Sequence, residues 1–95
     1  MTTLVERSPV TGELVGTFPT AGADEIASAV ERAREVFHAS WGRTTPADRI
    51  VHLRRLKRLL IDEMDDIAAA ICRATGKVYL EALAADVMTC VDVCH

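Results

Sequence analysis

Residues 41–77 have the sequence WGRTTPADRIVHLRRLKRLLIDEMDDIAAAICRATGK, which predicts two consecutive amphipathic helices. The first helix begins at Thr45, whose hydroxyl can cap it while Pro46 occupies the first helical position. Its apolar residues recur at intervals of three or four and predict a buried face, formed by Ile50, Leu53, Leu56 and Leu60.

The second helix of this stretch is bounded by an acidic residue and a glycine. Asp62 is its predicted N-cap, and the apolar residues that follow at helical spacing are Met64, Ile67, Ala68 and Ile71. Gly76 is the predicted end of the helix, because glycine readily adopts the left-handed conformation in which helices commonly stop. Arg73 and Lys77 lie near the negative end of the helix dipole, which favours both charges.

Upstream of this stretch, the first residues carry a strand pattern. Two short β-prone runs at residues 4–5 and 14–18 are separated by a segment that contains Pro9 and Gly12, both of which favour turns. This arrangement predicts an antiparallel β-hairpin within residues 1–22.

A helical pattern occupies the rest of the chain, residues 23–95. The first helix should end before Trp41, and its apolar stripe is Ile26, Val30, Ala33 and Phe37. A last pattern after Gly76 has apolar residues at Leu80, Leu83, Val87, Cys90, Val91 and Cys94, and it reaches His95 without a stop signal. We therefore expect a mainly helical structure of about four helices, and we interpret the unfinished last helix as part of a longer fold.

The composition is that of a globular protein. Hydrophobic residues make up 49% of the 95 residues and charged residues 26%, which argues against disorder, while aromatic residues are only 4% and leave few anchors for a free-standing core. The net charge of −3 provides no overall field for nucleic acid or an anionic membrane. Neither a transmembrane run nor a secretory signal is found, so we expect a cytoplasmic protein without a membrane partner.

Residues 49–58 are rich in basic side chains and could mark a helix that faces nucleic acid. The residues concerned are Arg49, Arg54, Arg55, Lys57 and Arg58, together with His52. No aromatic side chain interleaves them for base stacking, and the apolar face of the same helix accounts for its other large residues. We interpret these charges as a solvated or ion-paired surface and expect no nucleic-acid partner.

The cysteines are an odd set, Cys72, Cys90 and Cys94, clustered in the last quarter of the chain. This distribution predicts free thiols in a reducing compartment and no disulfide. Cys90 and Cys94 are four residues apart, with Asp86 one turn earlier and His95 adjacent, a spacing that could hold a metal ion. Because a second Cys/His pair is missing, we interpret the cysteines as small buried thiols.

No residue of the chain is a predicted catalytic or cofactor-binding residue. His38 and His52 stand alone, without a nucleophile in a recognisable arrangement, and are interpreted as surface residues. Cys94 would need an activating base and an oxyanion-stabilising group to act as a nucleophile, and neither can be named. Glycine-rich phosphate-binding motifs are also missing from the sequence.

Four motifs in order cover nearly the whole chain. They are SPVTGELVGTFPTA at 8–21, DEIASAVERAREVF at 24–37, WGRTTPADRIVHL at 41–53 and ATGK at 74–77. Together they resemble the amino-terminal segment of the NAD(P)-dependent aldehyde dehydrogenase superfamily. Ser8 stands where that family usually has asparagine, and Ala74 and Thr75 stand where an acidic residue and a variable one often precede Gly-Lys.

The resemblance implies an α/β parent enzyme with a Rossmann-like cofactor domain, a catalytic domain and an oligomerisation arm. Such enzymes oxidise an aldehyde to a carboxylic acid with NAD or NADP, through a thiohemiacetal on a cysteine and hydrolysis assisted by a glutamate. Those residues lie in the family beyond this segment, and Cys72, Cys90 and Cys94 do not correspond to the nucleophile. Residues 1–95 are thus expected to be one incomplete part of the cofactor-binding domain, inactive and without bound cofactor alone, within a homo-oligomeric parent.

One family site could begin in this segment. Many members hold a structural monovalent cation, and the resemblance assigns its ligands to the backbone carbonyls of Glu6 and Arg7 and to the carboxylate of Asp86. Carboxylate and carbonyl oxygens suit a hard cation, whereas the alternative is that Asp86 is a surface or helix-pairing acid. For the chain as a whole, the alternative function is a small helical interaction module without catalysis.

Overall fold

A computed structural model describes residues 2–95 as a two-stranded hairpin followed by helices. The strands are β1 (Thr3–Arg7) and β2 (Leu14–Pro19). The long helices are α1 (Ala23–Ala39), α2 (Pro46–Asp62) and α3 (Met64–Thr75), with a 3-10 turn at Trp41–Arg43. The last part comprises α4 (Tyr79–Glu81), a π-helical segment (Ala82–Val87) and α5 (Met88–Val93). The predicted hairpin and mainly helical fold are confirmed.

The hairpin is antiparallel and has an irregular register near its turn, where Arg7 lies opposite Leu14. The Ser8 hydroxyl accepts hydrogen bonds from the backbone N–H groups of Val10 and Thr11, both at 3.3 Å. Gly12 has a φ of 75°, which glycine adopts without strain. Ser8 therefore organises the turn with its side-chain oxygen, as asparagine side chains also do in turns, which accounts for the departure from the family motif.

Helix α1 forms where the apolar stripe predicts it, yet none of its residues is buried. The N–H of Gly22 donates to the Glu25 carboxylate at 2.8 Å, which closes the first turn. The main contact of the helix is with the 3-10 turn that follows it. The position of this helix therefore depends on few tertiary contacts within the chain.

The predicted cap of α2 is confirmed in detail. Thr45 Oγ1 accepts from the N–H of Asp48 at 3.3 Å, and the N–H of Thr45 donates to Asp48 Oδ2 at 2.8 Å. These reciprocal bonds satisfy two backbone donors that the start of a helix otherwise leaves without partners. Pro46 occupies the first helical position, where its missing N–H costs nothing.

The prediction of a buried face on α2 is wrong for most of its residues. Ile50, Leu53 and Leu56 are 44%, 45% and 46% exposed, and only Leu60 is partly buried. The helix meets α5 and the start of α3, but no layer of residues 2–95 covers its whole apolar side. The spacing of apolar residues identifies which side of a helix can be buried. Whether that side is buried depends on another element packing against it.

The prediction of Asp62 as an N-cap is also wrong, because Asp62 is the last residue of α2. Glu63 alone separates the two helices, and its N–H donates to the carbonyl of Leu59 while its own carbonyl accepts from Ile67. The backbone thus remains close to helical across the junction and never adopts the extended conformation of a side-chain cap. The predicted end of α3 is confirmed: Gly76 is left-handed, with a φ of 75°.

The last helix differs from its prediction because its middle is π-helical. Ala82 and Val87, five residues apart, are both buried, as a five-residue repeat places them on one side. The wider turn rotates Leu80 away from the packed side, where it was predicted, and leaves it 74% exposed. Cys90 was interpreted as buried but is exposed, because Val91 and not Cys90 faces the neighbouring helices.

The core is small and lies between α3 and the last helix. The buried hydrophobic residues among those described are Ala68, Ala82, Val87, Val91 and Cys94. The structure measures 48 × 37 × 16 Å, and its smallest dimension is little more than the diameter of a single helix with its side chains, about 10–12 Å. The chain therefore forms a thin layer. Among the helices of residues 2–95, none combines the length and the hydropathy that a membrane span requires.

The cap of α2 predicts a specific response to acid. Hydrogen bonds from the Thr45 backbone, and then from its hydroxyl, hold the pKa of Asp48 below its ordinary value of 3.8. A lowered folded-state pKa contributes stability above the unfolded-state pKa and loses it as the pH falls through the folded-state pKa. We expect Asp48→Asn to flatten the dependence of unfolding free energy on pH in this acidic range.

The measurement is denaturant unfolding followed by circular dichroism at several acidic pH values. Asp66→Asn, in the first turn of α3, is a control that removes an exposed carboxylate outside this cap. Equal pH profiles for Asp48→Asn and the wild type would contradict the assigned role of the Asp48 carboxylate.

Candidate functional site

Lys77 and Asp86 form the one salt bridge found within residues 2–95. The Lys77 ammonium donates to Asp86 Oδ2 at 2.9 Å and to Oδ1 at 3.2 Å, so it engages both carboxylate oxygens. The side chains are 36% and 33% exposed, which makes the pair partly shielded from water. The hydrogen bond to Asp86 raises the pKa of Lys77 above its ordinary value of 10.5.

The predicted cation ligands lie in two parts of the fold. Glu6 and Arg7 end β1, and the Arg7 guanidinium donates to the Gly12 carbonyl at 3.1 Å, which ties it to the hairpin turn. Asp86 lies in the π-helical segment and already has Lys77 as a cationic partner. While Lys77 holds the carboxylate, these residues do not fit a bound cation, because the ammonium occupies the oxygens that a metal ion would need.

The turn of the hairpin lies directly against the end of α3. A Cβ atom at Gly76 would lie 2.5 Å from Val10 Cγ2, closer than any real contact of this kind. Gly76 therefore permits both the left-handed conformation and the close approach of the Val10 side chain. The hairpin turn therefore lies against Gly76, the neighbour of Lys77 in the sequence.

A shallow groove of about 320 Å³ separates α2 from the end of the chain. Its lining residues are Ile50, Leu53, Arg54, Lys57, Cys94 and His95. Lys57 Nζ lies 2.7 Å from His95 Nδ1, but among residues 2–95 no hydrogen bond joins a base to the Cys94 thiol. The groove thus lacks the activated nucleophile that acyl chemistry needs.

The cysteines and histidines do not converge on a metal centre. No three His, Cys, Asp or Glu side chains of the described residues lie close enough together to hold an ion. Cys72, Cys90 and Cys94 are free thiols and differ in burial, from exposed Cys90 to buried Cys94. His38 and His52 are both exposed, as predicted.

Arg49, the first residue of the basic stretch, is engaged within the chain. Its guanidinium lies 5.0 Å from the centre of the Trp41 ring, and its Nε donates to Thr44 Oγ1 at 2.8 Å. A further bond of 3.1 Å reaches the Trp41 carbonyl, and the His52 ring lies 5.6 Å from the indole. Trp41 and Arg49 therefore hold the 3-10 turn against α2. The basic composition of residues 49–58 alone does not predict this role.

Tyr79 provides a second tether that sequence reasoning missed. Its hydroxyl donates a hydrogen bond to the carboxylate of Asp65 on α3, and this bond raises the pKa of Tyr79 above its ordinary value of 10.0. The two residues are fourteen positions apart, so only the packing of the last helix on α3 brings them together. The bond therefore ties the start of the last helix to α3.

The apolar stripe of α1 is exposed over its whole length; it is defined as Ile26, Val30, Ala33 and Phe37, all of which are exposed. A depression of about 660 Å³ with an almost wholly apolar lining lies beside it. The side chains around this depression are Arg32, Ala33, Val36, Phe37 and Trp41. Contiguous exposed apolar surface commonly marks a site that contacts another protein, a membrane or a ligand.

Comparison with known proteins identifies a matching family and several relatives. A family model described as "Aldehyde dehydrogenase family" matches residues 2–95. N-succinylglutamate 5-semialdehyde dehydrogenase of Caulobacter sp. (strain K31) is 41% identical over 73 residues, which are 77% of this chain and 15% of that protein. Succinate-semialdehyde dehydrogenase (NADP+) of Deinococcus radiodurans is 35% identical over 75 residues, 79% of this chain and 16% of that protein.

A third relative also matches most of this chain over a small part of its own length. Glutarate-semialdehyde dehydrogenase of Pseudomonas putida is 36% identical over 80 residues, 84% of this chain and 16% of that protein. The chain thus spans about a sixth of the length of the curated relatives that it matches. The family match includes both strands and every helix of the structure.

Proposed function

Because this chain belongs to the aldehyde dehydrogenase family, we propose that it forms the amino-terminal part of an enzyme that oxidises an aldehyde to a carboxylic acid with NAD or NADP. The match over residues 2–95 carries the proposal. Relatives named as NADP+-dependent and NAD(P)+-dependent dehydrogenases support the cofactor class. Since the chain spans only about a sixth of such proteins, the chemistry is assigned to the whole fold.

Within that fold, the chain serves as a helical layer of the cofactor-binding domain. The exposed stripe of α1 and the exposed apolar side of α2 would pack against the sheet of the parent α/β fold. Full burial of each large apolar side chain would contribute about 1.5–3 kcal/mol. The thinness of the structure and its small core support this role, because residues 2–95 by themselves bury few large side chains.

The isolated chain is expected to be inactive and to bind neither NAD nor NADP. Its cysteines lack an activating base, and its sequence lacks a glycine-rich cofactor loop. The test incubates the purified chain with each cofactor and an aldehyde panel that includes succinate and glutarate semialdehydes. Steady, aldehyde-dependent formation of reduced cofactor would contradict the assignment of chemistry to the rest of the fold.

The second candidate function is a stand-alone helical interaction module. The exposed stripe of α1 favours it, since the same side chains could pair with a second copy or another protein. Sedimentation separates the candidates: a discrete, folded dimer supports the module. A folded monomer that exposes the stripe, or an aggregated or molten species, supports a layer that lacks the remainder of its domain.

Two further properties of the parent enzyme are proposed on the family resemblance. The enzyme is a cytoplasmic homo-oligomer, and the free thiols support a reducing compartment. The monovalent cation expected at Glu6, Arg7 and Asp86 stays a prediction and is not among these proposals, because Lys77 occupies the Asp86 carboxylate.

A further inference from the structure

Asp86 is a partly shielded carboxylate that needs a positive partner. It lies on the π-helical segment, between exposed Ala85 and buried Val87, and is 33% exposed. A carboxylate removed from part of its water shell is destabilised unless a cation or several donors compensate it. The source of that positive charge decides whether the chain depends on metal ions for folding.

The fold holds Lys77 in position to supply the charge. Gly76 reverses the chain in its left-handed conformation, and the N–H of Lys77 then donates to Thr75 Oγ1 at 3.2 Å. Thr75 Oγ1 in turn donates to the Ile71 carbonyl at 2.7 Å, which anchors the turn on α3. The backbone of Lys77 is thus fixed before its side chain reaches across nine positions to Asp86.

The position of Asp86, the other member of the pair, is fixed by its neighbour in the core. Val87, next to Asp86, is 2% exposed and packs with Ala68 of α3 and Ala82 of the π-helical segment. Glu81 also acts on Lys77, because its negative charge favours the protonated amine. Asp86 is thus the carboxylate that the ammonium contacts, and Glu81 adds a second negative charge that favours its protonated form.

We propose that Lys77 takes the place of a monovalent cation at Asp86, so that this chain carries its own countercharge and folds independently of Na⁺ or K⁺. An ammonium group has the same single charge as such an ion, and here it contacts both oxygens of the carboxylate. A metal ion at those oxygens would have to displace Lys77 or lie against its positive charge, which repels it. The proposal concerns the folding of the chain and is independent of its enzymatic role.

Thermal unfolding of the 95-residue chain tests the proposal in KCl, NaCl and choline chloride at equal ionic strength. The wild type should have the same midpoint in all three salts. Lys77→Met should lower the midpoint in choline chloride by about 4 °C, because Asp86 then lacks its partner. Lys77→Arg, which keeps the charge, should remain close to the wild type.

Asp86→Asn completes a double-mutant cycle with Lys77→Met. The two changes should be non-additive, since each removes the same interaction. A wild-type midpoint that rises with K⁺ or Na⁺ concentration and saturates, and that loses this response in Asp86→Asn, would overturn the proposal. So would a Lys77→Met midpoint equal to that of the wild type in every salt. If a variant does not fold, the comparison of the wild-type midpoints in the three salts is sufficient to decide between these outcomes.

Discussion

Gly76→Ala is expected to destabilise the chain by about 2–4 kcal/mol, enough to unfold most of a marginal structure. Two costs combine at this position. Gly76 has a φ of 75°, which is unfavourable for alanine, and the new Cβ would lie 2.5 Å from Val10 Cγ2. Either the exposed Val10 side chain must then adopt another rotamer or the hairpin turn must move away from the end of α3. Denaturant unfolding measures the loss.

Gly12→Ala is the matched control for this change. Gly12 has the same φ of 75°, but nothing lies within 4 Å of a Cβ placed there. The control should therefore lose only the conformational part, about 1 kcal/mol. Equal losses for the two variants would contradict the close contact between the hairpin and α3.

Val30→Asp is expected to change the unfolding free energy little in the isolated chain and to lower it strongly in a complete enzyme. In the chain, Val30 is 47% exposed on a helix without buried residues, so the unfolding free energy should change by less than about 0.5 kcal/mol. In a complete fold that covers the stripe of α1, the same aspartate would be buried without a partner. The expected loss there is about 3–5 kcal/mol.

The complete fold is obtained as a chimera in which this chain replaces its matching segment in the Deinococcus radiodurans succinate-semialdehyde dehydrogenase. Ser28→Asp is the control, because Ser28 lies on the polar side of α1 and accepts a hydrogen bond of 2.7 Å from Arg32, as an aspartate there also can. Thermal unfolding and the soluble yield of both chimeras are compared. A Val30→Asp chimera as stable as the Ser28→Asp chimera would contradict coverage of the stripe.

Local signals in the sequence predicted the ends of the helices well. The Thr45 cap and the Gly76 stop depend on hydrogen bonds and backbone conformations within a few residues, so spacing alone identifies them. Asp62 resembled a cap only by residue type, since the backbone at Glu63 never leaves a near-helical conformation. A cap requires an extended residue, and a sequence pattern does not show whether one is present.

Features that depend on packing could not be predicted in the same way. The π-helical segment changes which residues face the core, so Leu80 was assigned to the wrong side. The partnership of Lys77 with Asp86 needs both the turn at Gly76 and the packing of Val87, neither of which spacing reveals. The stripe of α1 was identified correctly as apolar, while its exposure follows from the absence of a covering layer among residues 2–95.

The activity of the unmodified chimera tests most directly whether this chain is the amino-terminal layer of an aldehyde dehydrogenase. We expect reduction of NADP+ that depends on succinate semialdehyde, with kcat/KM within about tenfold of the parent enzyme. The control chimera carries the corresponding segment of the Pseudomonas putida glutarate-semialdehyde dehydrogenase. An active control beside an inactive or insoluble chimera of this chain would contradict the proposed role.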